Sequence, residues 1–199
     1  MMESKNVLLG ICGSPRKQGT HFAVQYALDY AADKFGFKTE FWTVRNKKIL
    51  FCTHCNYCIR EKQGCINKDD LQALYPIIKK AKFLIFGTPV FQGNLSGQLK
   101  TILDRCRALV AENPDVLKNK IGAALAVGGD RNGGQEIAIR SILDFFQQNH
   151  IISVSGGAFG ANLGASLWSK DLGMKGIESD AEGLRTVRKV IKRMGELRE

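Results

Sequence analysis

A chain of 199 residues that is 44% hydrophobic and 24% charged is long enough to bury one ordinary core and too apolar to be disordered. Its net charge of +10 favours acidic partners, yet it carries no aromatic-interleaved basic groove, no helix-turn-helix pattern and no zinc-finger spacing, so nucleic acid is not expected among them. The longest apolar runs (VLLGIC, FLIFG, IGAALAVGG) fall far short of the ~20 residues of a membrane span, and the N-terminus lacks the shape of a signal peptide; the chain is expected in the cytoplasm, with its thiols reduced.

In chain order, VLLGIC (7–12) is a strand-sized apolar run, and HFAVQYALDYAADKFG (21–36) has helical periodicity ending on a glycine stop. TEFWTV (39–44) reads as a second strand, and a cysteine-rich segment inserted at about 48–66 follows it. DDLQALYPIIKKA (69–81) is helical, acidic in its first turn and lysine-rich in its last as the helix dipole favours, with Pro76 a candidate kink. KFLIFGTPV (82–90) is a buried third strand, and SGQLKTILDRCRALV (96–110) a helix with Ser96 as N-cap. KIGAALAVGG (120–129) is the fourth strand, GGQEIAIRSILDFFQQNH (133–150) a long amphipathic helix, and ISVSGGAFG (152–160) the last strand. After a glycine-containing segment, a basic helix capped by Ser179 or Asp180 closes the chain, its charges read as a solvated face. Strand and helix alternate throughout, which predicts an α/β fold over 1–199: one parallel sheet with helices on both faces. Ligands of such folds bind outside the carboxyl ends of the strands, so the loops that follow the strands are the informative places.

The loop after the first strand, GSPRKQGTH (13–21), opens a helix. It offers hydroxyls on Ser14 and Thr20, the charge of Arg16, and a backbone that Gly13 and Gly19 let a ligand approach closely. A helix N-terminus holds phosphate through free N–H groups, although Thr20 or Ser14 capping the helix is an equally plain use of the same residues. The loop fits neither the dinucleotide fingerprint nor the P-loop. It resembles the phosphate loop of the NADPH-dependent FMN reductase family, which has a flavodoxin-like doubly wound five-stranded parallel sheet of order 2-1-3-4-5. In that family the loop holds the FMN 5′-phosphate, and Ser14, Arg16, Gln18, Gly19 and Thr20 match its pattern.

GTPVFQGNLSGQLKTILDR (87–105), after the third strand, is similar to the same family's second flavin loop. Pro89, Val90 and Phe91 are expected to wall the flavin ring, and Gln92, Gly93 and Asn94 to meet its pyrimidine edge. GGDRNGGQE (128–136), after the fourth strand, is glycine-rich enough for a backbone to lie along a planar ring; the resemblance sets Gly129, Asp130 and Arg131 at the flavin's edge, while Asp130 and Arg131 pairing with each other on the surface is the alternative.

Cys52, Cys55, Cys58 and Cys65 are spaced C-x2-C-x2-C-x6-C. A disulfide pair is disfavoured in a reducing compartment, and a zinc site normally shows two separated C-x2-4-C pairs, although His54 offers a substitute ligand. The spacing begins like the run that holds an iron–sulfur cubane, with a fourth thiolate from slightly further on. The same motif between second strand and second helix is found in the iron–sulfur flavoproteins of the reductase family. That resemblance implies FMN, a 4Fe-4S cluster on these four cysteines that aerobic preparation can strip, and a homodimer or homotetramer. Cys12 and Cys106 lie in apolar-patterned elements and read as inert buried thiols.

A cluster moves single electrons and a flavin one or two, so the expected function is electron transfer from a carrier to an acceptor, with no side-chain acid or nucleophile required. Arg45, Lys47, Lys48, Arg60 and Lys62 surround the cysteines against Glu61 alone, a patch suited to an acidic carrier such as ferredoxin. The alternatives are an NAD(P)H-dependent FMN or quinone reductase without a cluster, and a metal-binding redox sensor.

Overall fold

The computed structural model describes residues 6–198. At its centre, β1 (Val7–Cys12) is buried along its whole length. Its side chains alternate with the strand period of two: Val7, Leu9 and Ile11 enter one apolar layer, Leu8 and Cys12 the other. β2 (Lys38–Thr43), β3 (Phe83–Phe91), β5 (Ile121–Gly128) and β6 (Ile152–Ser153) complete a parallel sheet in the order β2-β1-β3-β5-β6. This is the expected order, the predicted fourth and fifth strands being β5 and β6. A short antiparallel strand, β4 (Asn94–Leu95), folds back on the end of β3.

One face of the sheet is covered by α1 (Gly19–Phe35), α7 (Met174–Glu178) and α8 (Ala181–Glu196), which contribute Val24, Leu28, Ile177, Val187 and Ile191 to the core. The other is covered by α3 (Leu74–Lys80), α4 (Gly97–Arg105), α5 (Arg107–Glu112) and α6 (Gln135–Gln148), through Leu74, Ile78, Ile102, Leu109, Ile142 and Phe146. A two-sided core of this kind is why the inner strands read as continuous apolar runs.

Three local expectations change. Residues 69–81 begin as a 3-10 turn (Asp70–Ala73) capped by Asp69 before α3 starts. Pro76 then falls on the third residue of α3, where no N–H is owed to the helix, so it makes no kink. The predicted helix 96–110 is divided at Cys106 into α4 and α5. The expected last strand, 152–160, pairs with β5 only at Ile152–Ser153. The chain then turns away through Gly157 and Gly160, both at positive φ, and returns as β7 (Ala165–Trp168) beside the other half of β5. Arg185 and Lys189 of α8 hold this excursion by bonding the carbonyl of Phe159.

Candidate functional site

A cleft of about 580 Å³ opens at the carboxyl ends of β1, β3, β5 and β7. Its floor is the loop after β1. Ser14 there folds on itself, donating to Arg16 O (3.1 Å) and accepting from Arg16 N (3.2 Å). Neither Ser14 nor Thr20 caps α1: the N-cap position is Gln18, and no side chain accepts from the first turn. The amide end of a 17-residue helix therefore faces the cleft uncapped, with the partial positive charge of its dipole, beside exposed Arg16. Ser14, Arg16, Gln18, Gly19 and Thr20 all line it.

Pro89, Val90 and Phe91 form an apolar wall at the end of β3. The chain next reverses through Gln92 (φ 48) and Gly93 (φ 77), a left-handed pair suited to a two-residue hairpin into β4. Neither Gln92, which is exposed, nor Gly93 lines the cleft, and Gly93 lies against the third loop: a Cβ added to Gly134 would stand 2.5 Å from Gly93 O. Asn94 is turned further away. Its Oδ1 accepts from Leu95 N (2.7 Å) and from Ser141 Oγ (2.9 Å), and it lines a separate groove between α4–α5 and α6.

From the third loop only Gly129 reaches the cleft lining, joined by Val127 of β5. Asp130 and Arg131 do not pair with each other. The Asp130 carbonyl accepts from Gln135 Nε2 (2.6 Å), which pulls it toward α6, and the Arg131 guanidinium stacks on the Trp168 ring at 4.6 Å. They form a rim, not a wall. The remaining side of the cleft is a segment that motif reading missed: Ser169, Asp171, Leu172 and Gly173, after β7. Ser169 Oγ donates to Gly128 O (3.0 Å), and the Asp171 carboxylate sits where any side chain on Gly129 would have to go. The signal was available in the strand ASLW (165–168), since the residues just past its end occupy the position where ligands of such sheets bind.

The cysteine loop leaves the same end of the sheet from β2. Val44 N bonds Cys12 O (3.1 Å) as it departs. His54, Asn56, Lys62 and Gly64 all take positive φ, which coils the segment tightly around the short helix α2 (Tyr57–Glu61). Arg107 of α5 holds Asn56 Oδ1 at 2.8 Å, and Arg60 bonds Cys55 O at 3.0 Å. All four thiols are free: Cys52 and Cys55 are exposed, while Cys58 and Cys65 are half-buried against the core. Among the described residues no three His, Cys, Asp or Glu side chains gather as the ligands of a single metal ion would. Four free thiols on one loop are a donor set that either a zinc ion or an iron–sulfur cubane takes. Cys12 and Cys106 are buried, and burial pushes their thiols up to about 11 and about 12, as expected of inert cysteines.

Residues 7–166 match the NADPH-dependent FMN reductase family. The chain belongs to that family. Within it, the chain is 58% identical over 190 residues to an iron–sulfur flavoprotein of Methanocaldococcus jannaschii, covering 96% of each. It is 49% identical to an iron–sulfur flavoprotein of Archaeoglobus fulgidus, covering 97% of each. Among solved structures, a flavodoxin-type WrbA-like protein from Agrobacterium tumefaciens superposes with a TM-score of 0.64 at 16% identity, covering 96% of this chain and 95% of that one; a likeness of that kind shows the fold, which is flavodoxin-like. The chain is thus a flavin-dependent oxidoreductase of the iron–sulfur flavoprotein type. No helix among the described residues is long and apolar enough to cross a membrane.

Proposed function

We propose that this protein passes single electrons from an acidic carrier such as ferredoxin, through a 4Fe-4S cluster on Cys52, Cys55, Cys58 and Cys65, to FMN in the cleft and on to an acceptor. The observation that carries the reading is that four free thiols leave the same edge of the sheet as a cleft with an uncapped helix N-terminus. When bound, the cubane supplies one-electron steps and FMN one- or two-electron steps, which together turn single electrons into a two-electron reduction. The first turn of α1 and Arg16 balance the flavin phosphate. Pro89, Val90 and Phe91 exclude water from one side of the ring, and Gly129 lets backbone come close on another. Arg45, Lys47, Lys48, Arg60 and Lys62 are largely exposed around the thiols, so the patch is free to steer an acidic carrier. Assembly as a homodimer or homotetramer belongs to the same proposal, resting on the resemblance alone.

The test is stopped-flow reduction of the flavin under anaerobic conditions, with reduced ferredoxin and with NADPH as rival donors. The proposal predicts ferredoxin-driven reduction that slows steeply with salt and is abolished in Cys58→Ser. Fast reduction by NADPH that is indifferent to Cys58→Ser would replace it with a plain flavin reductase.

A further inference from the structure

One buried cation joins the cysteine loop to the sheet. Arg105 is the last residue of α4, its side chain is 0% exposed, and it pairs with the carboxylate of Asp69, itself 4% exposed. Arg105 also donates to Leu50 O (3.0 Å) and to Asn67 O (3.2 Å). Leu50 lies on the stem entering the cysteine loop, two residues before Cys52; Asn67 lies on the stem leaving it, two residues after Cys65. The guanidinium therefore grips both stems at once. Asp69 adds a second tie by accepting from Leu50 N (2.8 Å) as well as from Leu71 N (3.2 Å). Neighbours complete the seam: Asp70 accepts from Lys48 N (2.7 Å), and Gln72 donates to Cys65 O (3.2 Å) and Asn67 O (3.0 Å).

A buried ion pair is weak evidence of stability, since apolar residues of similar volume commonly serve as well; what it supplies is a defined geometry. Here the geometry has a direction. α4 is fastened at its N-cap to the loop that floors the cleft, because Ser96 Oγ donates to Gly13 O (2.7 Å). Its last residue grips the cysteine loop. One nine-residue helix, roughly 13 Å long at the rise of an α-helix, is thus a strut between cleft and loop.

We propose that Arg105, with Asp69, is a positioning residue: it closes the two stems of the cysteine loop on each other and fixes the thiols relative to the cleft at the far end of α4. For the identity of the group those thiols hold, this inference rests on the function proposed above; for the ordering of the loop it does not.

The experiment uses Arg105→Lys, which keeps the charge but not the fork, Asp69→Asn, and Arg105→Met. Hydrogen exchange is followed in the metal-free protein, and iron release to a chelator in the anaerobically prepared protein. Amides of residues 48–67 are expected to exchange about ten-fold faster in each variant, with those of β1, β3 and β5 unchanged. FMN affinity is expected to stay within about twofold, since Arg105 does not line the cleft, while iron leaves about ten-fold faster. Should Arg105→Met fail to fold, Arg105→Lys and Asp69→Asn carry the test. Unchanged exchange in 48–67, or faster exchange spread evenly over the sheet, overturns the inference. A wild-type protein that binds no iron would defeat the cluster reading, and the exchange arm would still decide whether the clamp exists.

Discussion

Ser96 Oγ donates to Gly13 O at 2.7 Å while accepting from Leu99 N at 3.1 Å, so a single buried hydroxyl both caps α4 and fixes the start of the loop after β1. Ser96→Ala leaves both partners buried and unpaired. The expected loss is about 2 kcal/mol of stability, read as a lower urea midpoint with an unchanged slope. A variant within about 0.5 kcal/mol of the wild type would show that the two loops are not coupled through this residue.

In the proposed function Arg16 and the α1 amides are set against the flavin phosphate and not against the ring. Arg16→Ala should therefore weaken FMN about ten-fold and leave riboflavin, which lacks the phosphate, nearly unchanged. Fluorescence titration with both flavins separates the cases; equal losses would place the phosphate elsewhere.

Gly134 holds φ 108, and a Cβ there would stand 2.5 Å from Gly93 O. Gly134→Ala combines a left-handed backbone with a backbone clash, at a cost of about 1–3 kcal/mol. It should also displace the Gln92–Gly93 turn from the end of the Phe91 wall, so flavin dissociation quickens as the melting temperature falls. A melt unchanged from wild type would show that the contact yields freely.

Asp69 sets an acid limb of stability. Burial disfavours its charged form, but the bonds from Arg105, Leu50 N and Leu71 N more than reverse this and hold the carboxyl below its usual range. A carboxyl depressed in the folded state stabilises fully above its unfolded value of about 3.9 and loses that contribution as pH falls through the folded value. Asp69→Asn should cost about 3 kcal/mol at neutral pH in the metal-free protein and flatten the decline below pH ~4. An identical acid limb in wild type and variant would contradict the assignment.

The six cysteines divide into two classes. In metal-free protein a thiol reagent should modify Cys52, Cys55, Cys58 and Cys65 in the native state, and Cys12 and Cys106 only on unfolding. Mass spectrometry of the modified peptides checks the division. Native labelling of Cys106 would mean that the interface between α4 and the sheet opens.

The order of the sheet and the place of the loop after β1 on the cleft were legible because they depend on local chemistry: apolar runs of strand length, glycines at turns, and hydroxyls before a helix. The second and third loops were legible only in part. Pro89, Val90, Phe91 and Gly129 line the cleft, but Asn94 is claimed by Ser141, Asp130 by Gln135 and Arg131 by Trp168, partners brought near by tertiary packing that spacing does not reveal. Asp171 was missed for the converse reason. It reaches the cleft because the excursion after Ser153 returns the chain as β7 along the second half of β5, and residues 169–173 carry no pattern of their own. Arg105 read only as the end of the family-like stretch 87–105, inside a helix; the fold alone shows that both stems of the cysteine loop end on it.

The most direct measurement is the iron, acid-labile sulfide and FMN content per chain of protein purified without oxygen, taken with its visible spectrum. About four irons, about four sulfides and one FMN are expected, with the iron and sulfide lost together when Cys52, Cys55, Cys58 and Cys65 are replaced by serine. One FMN with zinc, or with no metal, would contradict the proposed function and leave a flavin reductase whose cysteine loop serves another purpose.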